Sequence, residues 1–117
     1  MTSFLLPREA ISSLDAYLAT EVGGRGVEQA QQVGAAATIE TVLASGLRGR
    51  GGGGFSTGVK WKGIAAQTGT RRYLVCNGAE GEPGTFKDRA LLRANPYQLV
   101  EGLVIAAFAV GAEEAFI

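Results

Sequence analysis

The chain has no histidine, and only one cysteine, one tryptophan and one methionine among its 117 residues. Without imidazole, and with Cys76 as the only thiol, it can form neither an internal disulfide nor a thiol pair for a metal. Zinc or cluster chemistry on this chain alone is therefore not expected. A long apolar run is also missing. The longest, "LVIAAFAVGA", is about half a membrane span, and the apolar lead in "MTSFLLPREA" ends at Pro7, too short for a signal peptide. A soluble, reducing compartment is the default expectation. One further absence is local: residues 46–72 contain no acid, yet they carry Arg48, Arg50, Lys60, Lys62, Arg71 and Arg72. Residues 1–45 show the opposite bias, with Glu9, Asp15, Glu21, Glu28 and Glu40 against Arg8 and Arg25. The net charge of zero hides this split. A basic block of this kind suits an anionic ligand.

The rest of the composition describes one domain or part of one. Hydrophobic residues make up 46% and charged residues 19%, so the chain is not of the disordered class. Glycine, at 18 residues, is about twice the usual share and is concentrated between Gly46 and Gly84.

Periodicity and turn chemistry predict an α/β chain. "PREAISSLDAYLATEVGG" reads as a helix, with Pro7 in its first turn and Gly23 at its end. "VEQAQQV" reads as a short helix. "TIETVLASG" reads as a helix capped by Thr38 and stopped by Gly46. Another helix is expected from about Gly58, in "GVKWKGIAAQ". "RRYLVCN" is a buried strand ending at Asn77. "TFKDRALLRA" opens a helix with Thr85 and Asp88 placed as a capping box, and Asn95-Pro96 breaks it. "PYQLVEGLVIAAFAVG" is apolar nearly all round and should be buried. "EEAFI" begins a strand; such an open strand predicts a partner surface.

Between two of these helices lies "GLRGRGGGGFSTGVKWK", Gly46 to Lys62. Gly49, Gly51 and Gly54 match G-x-G-x-x-G, but any glycine run does. The dinucleotide fingerprint needs a strand before the loop and an acid about twenty residues on. Here a helix precedes it and position 74 is Leu, so the ordinary Rossmann reading fails. The phosphate-binding P-loop fails too, because Gly-Lys-Ser/Thr is missing.

The physical capacity of the loop survives both failures. Consecutive glycines can take positive φ and aim successive N–H groups at one anion. A helix starting near Gly58 adds its dipole, and Arg50 and Lys60 add full charges. Missing Cβ atoms let a flat ring lie on the backbone, so the loop suits a molecule with a phosphate and a planar system. An RNA-binding "RGG" segment is the alternative, but such segments repeat in polar sequence, and this one occurs once. Phe55 is either an exposed stacking surface or a lid on the core, and Trp61 is read as core. Glu80 and Glu82 stand on the loop after a strand end, where ligands bind in α/β sheets; a solvated turn would look the same.

"GLRGRGGGGFSTGVKW" followed by "RYLVCNGAEGEPGTFKDRALLRANPYQLVEG" resembles the flavin-bearing, NADH-binding subunit of respiratory complex I. The same module occurs in NAD-reducing hydrogenases and NAD-dependent formate dehydrogenases. The similarity runs from about Ile39 to Ile117. It implies the N-terminal part of a non-standard, Rossmann-like FMN-binding fold, with residues 1–37 a helical lead-in and 38–117 the flavin-contacting core. It implies that NADH stacks on FMN and passes it a hydride, and that electrons leave singly through iron–sulfur clusters on other segments or chains. Carried residue by residue, Gly49, Arg50, Gly51, Gly52 and Gly54 would line the FMN and Lys60 would approach its polar edge or phosphate. Asn77 and Glu80 would hydrogen-bond the flavin. Phe55 would stack on the NADH adenine, and Glu82 would sit near the nicotinamide nucleotide; Glu80 and Glu82 are the candidate catalytic acids.

This chain departs from the complex I pattern at Gly53 (family Ala), Ser56 (Pro), Gly63 (an aromatic) and Ala79 (Asp). "NGAE-EP" is instead what the NADH-binding subunit of the Rnf ferredoxin:NAD oxidoreductase shows. The expected partners are other subunits of a multisubunit redox complex and NADH, with no nucleic acid and no membrane insertion. The expected location is cytoplasmic, peripheral to a membrane complex. A non-catalytic assembly subunit that keeps the fold without flavin is the rival reading.

Overall fold

The computed structural model describes residues 5–117; part of the apolar lead lies outside them. The first predicted helix shrinks to α1, Leu14–Leu18, and Pro7, expected in its first turn, lies outside it: Ser13 is the N-cap, and its hydroxyl accepts from the Ala16 N–H at 3.1 Å. The segment before it is irregular. After α1, Gly23 packs so tightly on the Tyr17 carbonyl that a Cβ there would sit 2.0 Å from the oxygen.

Helix α2, Arg25–Val33, and helix α3, Ala35–Ala44, meet at Gly34, which adopts φ 87°. Thr38, predicted as a cap, lies inside α3; it is buried and its hydroxyl donates back to the Gly34 carbonyl. The gain in helix length comes from the run of alanines before it, the best helix formers. Helix α4, Thr57–Ala65, starts from Ser56 as N-cap, as the position of Gly58 suggested. Its contact with α3 is close. A Cβ on Gly58 would lie 2.4 Å from the Leu43 Cα.

Strand β1, Tyr73–Val75, pairs in parallel with β2, Glu114–Phe116, in the register Tyr73↔Glu114, Leu74↔Ala115 and Val75↔Phe116. Both predicted strands form, but β1 is not buried: Tyr73 and Val75 are exposed beside Phe116. Between the strands come α5, Lys87–Ala94, and α6, Pro96–Val110. Asn95 ends α5 and caps α6 through its side chain, as the Asn-Pro break implied. Helix α6 packs against all the other elements. It is not fully covered, however. Ala106, Ala109 and Val110 are buried while Val100, Val104 and Phe108 face outward. Trp61, expected in the core, is half-buried.

Two charged side chains tie these elements. The Glu101 carboxylate on α6 accepts the Tyr17 hydroxyl at 2.5 Å and the N–H groups of Gly24 and Gly26 at 2.9 Å, covering the start of α2. At the other end, the Arg72 guanidinium donates to the Val110 carbonyl, the last of α6, and to the Gln67 carbonyl just beyond α4. The C-terminal ends of α4 and α6 thus converge beside the start of β1. The start of α6 lies at the other end of the strand, where Leu99 lines a small cleft with Cys76, Asn77 and Ile117. Among the described residues no helix is long and apolar enough to cross a membrane.

Candidate functional site

The glycine segment folds as a closed loop. Gly46 turns the chain out of α3 with φ 70°. Arg48 and Ser56 then form an antiparallel bridge, the Gly49 N–H donates to the Phe55 carbonyl at 2.9 Å, and the Thr57 N–H donates to the Leu47 carbonyl at 3.0 Å. Residues 50–54 are the tip, and Ser56 passes directly into α4.

The tip glycines separate into two kinds. Gly52 and Gly54 hold φ of 97° and 56°, a conformation that favours glycine over any L side chain. Gly51 and Gly53 lie outside that region, and a Cβ on either would meet nothing within 4 Å. Neither backbone conformation nor internal packing accounts for glycine at these two positions. The space above them is open to a flat molecule.

The basic block divides in the same way. Lys62 pairs with Glu40 at 2.6 Å, Arg71 with Glu113 at 3.4 Å, and Arg72 serves the helix ends. Arg48 donates to the Gly54 carbonyl across the loop. Arg50 and Lys60 are left, among the described residues, without a carboxylate or carbonyl partner. The Lys60 ammonium instead stands 5.7 Å from the Phe55 ring centre. Phe55 is 57% exposed, which decides between the two roles open to it: it is a surface ring and not a core lid.

The second loop leaves β1 through Cys76, whose N–H donates to the Phe116 carbonyl. Asn77 is exposed, and its side-chain oxygen accepts the Ala79 N–H at 2.9 Å, fixing a tight turn. The expected Thr85–Asp88 capping box does not form. Thr85 donates its hydroxyl to the Glu82 carbonyl, and Phe86 occupies the N-cap position of α5 without a side-chain bond. The cap comes from Glu80, whose carboxylate accepts the Asp88 N–H at 2.9 Å and the Arg89 N–H at 3.4 Å. Only 8% of the Glu80 side chain is exposed, whereas Glu82 is exposed. No hydrogen bond or ion pair joins the two loops among the described residues.

Sequence reasoning missed Glu101. A lone acid in an apolar helix was the available signal, because such a group must find donors. Burial raises its pKa, but the Tyr17 hydroxyl and three backbone N–H groups outweigh that and hold it below the ordinary value. The same contact, after burial, pushes Tyr17 up to about 12. No group of three His, Cys, Asp or Glu side chains able to hold a metal occurs among the described residues.

Comparison with known proteins places this geometry in context. Residues 42–117 match the model of the Nuo51 FMN-binding domain. The chain is 53% identical over 79 residues to an NADH-quinone oxidoreductase subunit of Rhizobium meliloti (strain 1021), covering 68% of this chain and 19% of that protein. It is 46% identical over 107 residues to the corresponding NADH-quinone oxidoreductase subunit of Aquifex aeolicus (strain VF5), covering 92% of this chain and 25% of that protein. Among solved structures, an NAD+-reducing [NiFe]-hydrogenase in the H2-reduced state superposes with a TM-score of 0.73 at 40% identity. The match takes in 91% of this chain and 19% of that one. The chain thus spans about a fifth to a quarter of the length of these relatives.

Proposed function

The chain belongs to the Nuo51 FMN-binding domain family, and from that premise we propose that it forms the FMN-contacting part of an NADH-linked oxidoreductase complex. The observation that carries this reading is Gly51 at the loop tip, which neither backbone conformation nor packing within the chain requires to be glycine. A planar ring resting on the tip would account for it, and the alanine of the complex I pattern at position 53 shows that a Cβ is compatible with the cofactor there. The residues present therefore fit the cofactor.

When bound, the flavin supplies the redox chemistry, taking a hydride from NADH and releasing electrons singly. The chain supplies position and charge. Arg50 and Lys60, unpaired beside the start of α4, balance an anionic phosphate there, and the helix dipole adds to them. The Asn77 oxygen is engaged, which leaves its side-chain NH2 group to donate to a polar ring edge. The exposed Phe55 ring offers a platform for adenine, and the exposed Glu82 faces the nicotinamide nucleotide. A chain without histidine and with one cysteine leaves the iron–sulfur clusters to other segments or chains. Its partners are then the other subunits of a soluble or membrane-peripheral complex on the cytoplasmic side.

Purifying the chain together with its co-expressed neighbours tests the reading. Stoichiometric FMN, seen by its absorption and released on denaturation, is expected in the assembly, with weak or no binding to the chain alone. An intact assembly without flavin overturns the reading in favour of a structural subunit.

A further inference from the structure

Helix α6 leaves one side uncovered. Val100, Val104 and Phe108 recur four residues apart, all three are exposed, and together they form one ridge on the helix surface. Single exposed apolar residues need no explanation, but a contiguous row does. Leu14 and Leu18 of α1, also four apart and exposed, flank the start of the ridge. Three clefts follow one another along it. The first, of about 430 Å³, lies between α1, α2 and the start of α6, with Val27 and Val100 in its wall. The second, of about 90 Å³, is lined by Val27, Val104 and Phe108. The third, of about 380 Å³, continues from Phe108 to Ile39 of α3. Val27 joins the first cleft to the second, and Phe108 joins the second to the third. From Tyr97 to Phe108 the groove runs about 17 Å, three turns of helix.

We propose that this groove receives one helix of a companion subunit, apolar along one face and basic at the end that meets α1; the existence of a companion rests on the complex proposed above. A ridge of residues four apart is what the grooves of a second helix accept, and a helix laid in an apolar groove is anchored at the same spacing. Charge specifies the rest. Helices α1 and α2 and the turn between them carry Asp15, Glu21 and Glu28 against Arg25 alone. None of these three acids has an ion pair among the described residues. A second copy of this chain does not meet that need. Paired antiparallel along α6, it brings Lys62 and Arg72 to the acidic end, and both are already engaged. The strip is also small for a dimer. About 17 Å long and one helix wide, it covers a few hundred Å², against about 800 Å² per partner in stable complexes. The chain as a whole exposes 8516 Å² where a compact monomer of its mass would expose about 6,000 Å². The docking helix therefore belongs to a larger body that covers neighbouring faces too.

Photo-crosslinking in the assembly of the chain with its co-expressed neighbours tests the proposal. Benzoylphenylalanine placed in turn at Val100, Val104 and Phe108 is expected to link to a single segment of one companion subunit, at residues three or four apart. Links to a second copy of this chain, links to alternate residues of a strand, or no links at all overturn it. Val104→Glu gives a second readout. The side chain is exposed, so the isolated variant should keep its Tm and helical circular dichroism, while recovery of the companion with the chain falls about ten-fold or more. Recovery equal to that of the wild type overturns the docking site. Asp15→Lys combined with Glu21→Lys should lower recovery at low salt and less so at high salt, and no change at low salt overturns the basic end of the helix. FMN content separates the two readings. A flavin-free assembly with the expected links overturns the flavin reading and keeps the docking site; a flavin-loaded assembly without them does the reverse.

Discussion

At the scale of single residues, the glycines of one short stretch have different causes. Gly58 is required by packing, because the α3 backbone lies where its side chain would be. Gly58→Ala should therefore destabilise the chain by about 1–3 kcal/mol through overpacking, visible as a fall in Tm of roughly 5 °C or more. Gly51→Ala and Gly53→Ala meet open space and should leave Tm unchanged or slightly raised, since alanine restricts the unfolded chain. The cost of Gly51→Ala should appear only in FMN affinity, measured by titration of the assembly, whereas Gly53→Ala, which restores the alanine of the complex I pattern, should keep that affinity. Equal affinity in Gly51→Ala would mean that no ring rests on the tip. Phe55 gives a separate readout. An exposed stacking platform remote from the reacting atoms adds uniform binding, so Phe55→Ala should raise the NADH KM roughly ten-fold with kcat unchanged. An unchanged KM would remove Phe55 from the nucleotide site.

At the scale of elements, the start of α2 depends on an acid from another helix. Gly24 at its N-cap has no side chain to offer, and Glu101 from α6 takes that role. Replacing Glu101 with Ala strands three N–H groups and the Tyr17 hydroxyl, and should cost roughly 1.5–3 kcal/mol. The pH dependence follows from the direction of the two shifts. Glu101 is held below its ordinary pKa in the folded chain, so its contribution is full above the ordinary glutamate value, about 4.3. That contribution is lost as pH falls through the lower folded value. Tyr17 keeps its proton up to about 12, so folding loses stability as pH rises from the ordinary tyrosine value, about 10, toward it. Denaturant unfolding of wild type and Glu101→Gln should therefore converge at low pH. A difference that persists unchanged at pH 3 would remove Glu101 as the titrating group.

At the scale of the whole molecule, the chain is more open than its mass predicts. It exposes 8516 Å², where a compact monomer of 12.1 kDa would expose about 6,000 Å². The excess is visible in particular places. Parallel sheets are normally covered on both faces, yet Tyr73, Val75 and Phe116 stand exposed on one face of a two-stranded ribbon. Leu14, Leu18 and Val22 do the same beside α6. The native chain should therefore bind the apolar dye ANS at neutral pH while keeping its helical circular dichroism. Dye fluorescence no greater than that of a compact control protein would mean that these faces are closed in solution.

The sequence by itself determined the helices α3, α4 and α6, the two strands, the break at Asn95-Pro96, and the glycine loop between two helices. Each of these rests on neighbours a few residues apart: apolar spacing, a proline, a turn glycine. It also determined the family, because two long motifs in fixed order are specific without any coordinates. Tertiary structure alone decided which charges are free and which are engaged. Of the six basic residues in the acid-free stretch the sequence singled out Arg50 and Lys60, and only folding engaged the other four, Lys62 with Glu40, Arg71 with Glu113, Arg72 with the helix ends and Arg48 with the Gly54 carbonyl. It decided that Glu80, and not Thr85, caps α5, and it exposed Phe55. The physical reason is range. Glu101 meets Gly24 across 77 residues of chain, and a buried polar group takes whichever donor the packed helices bring to it, a choice that no local pattern records.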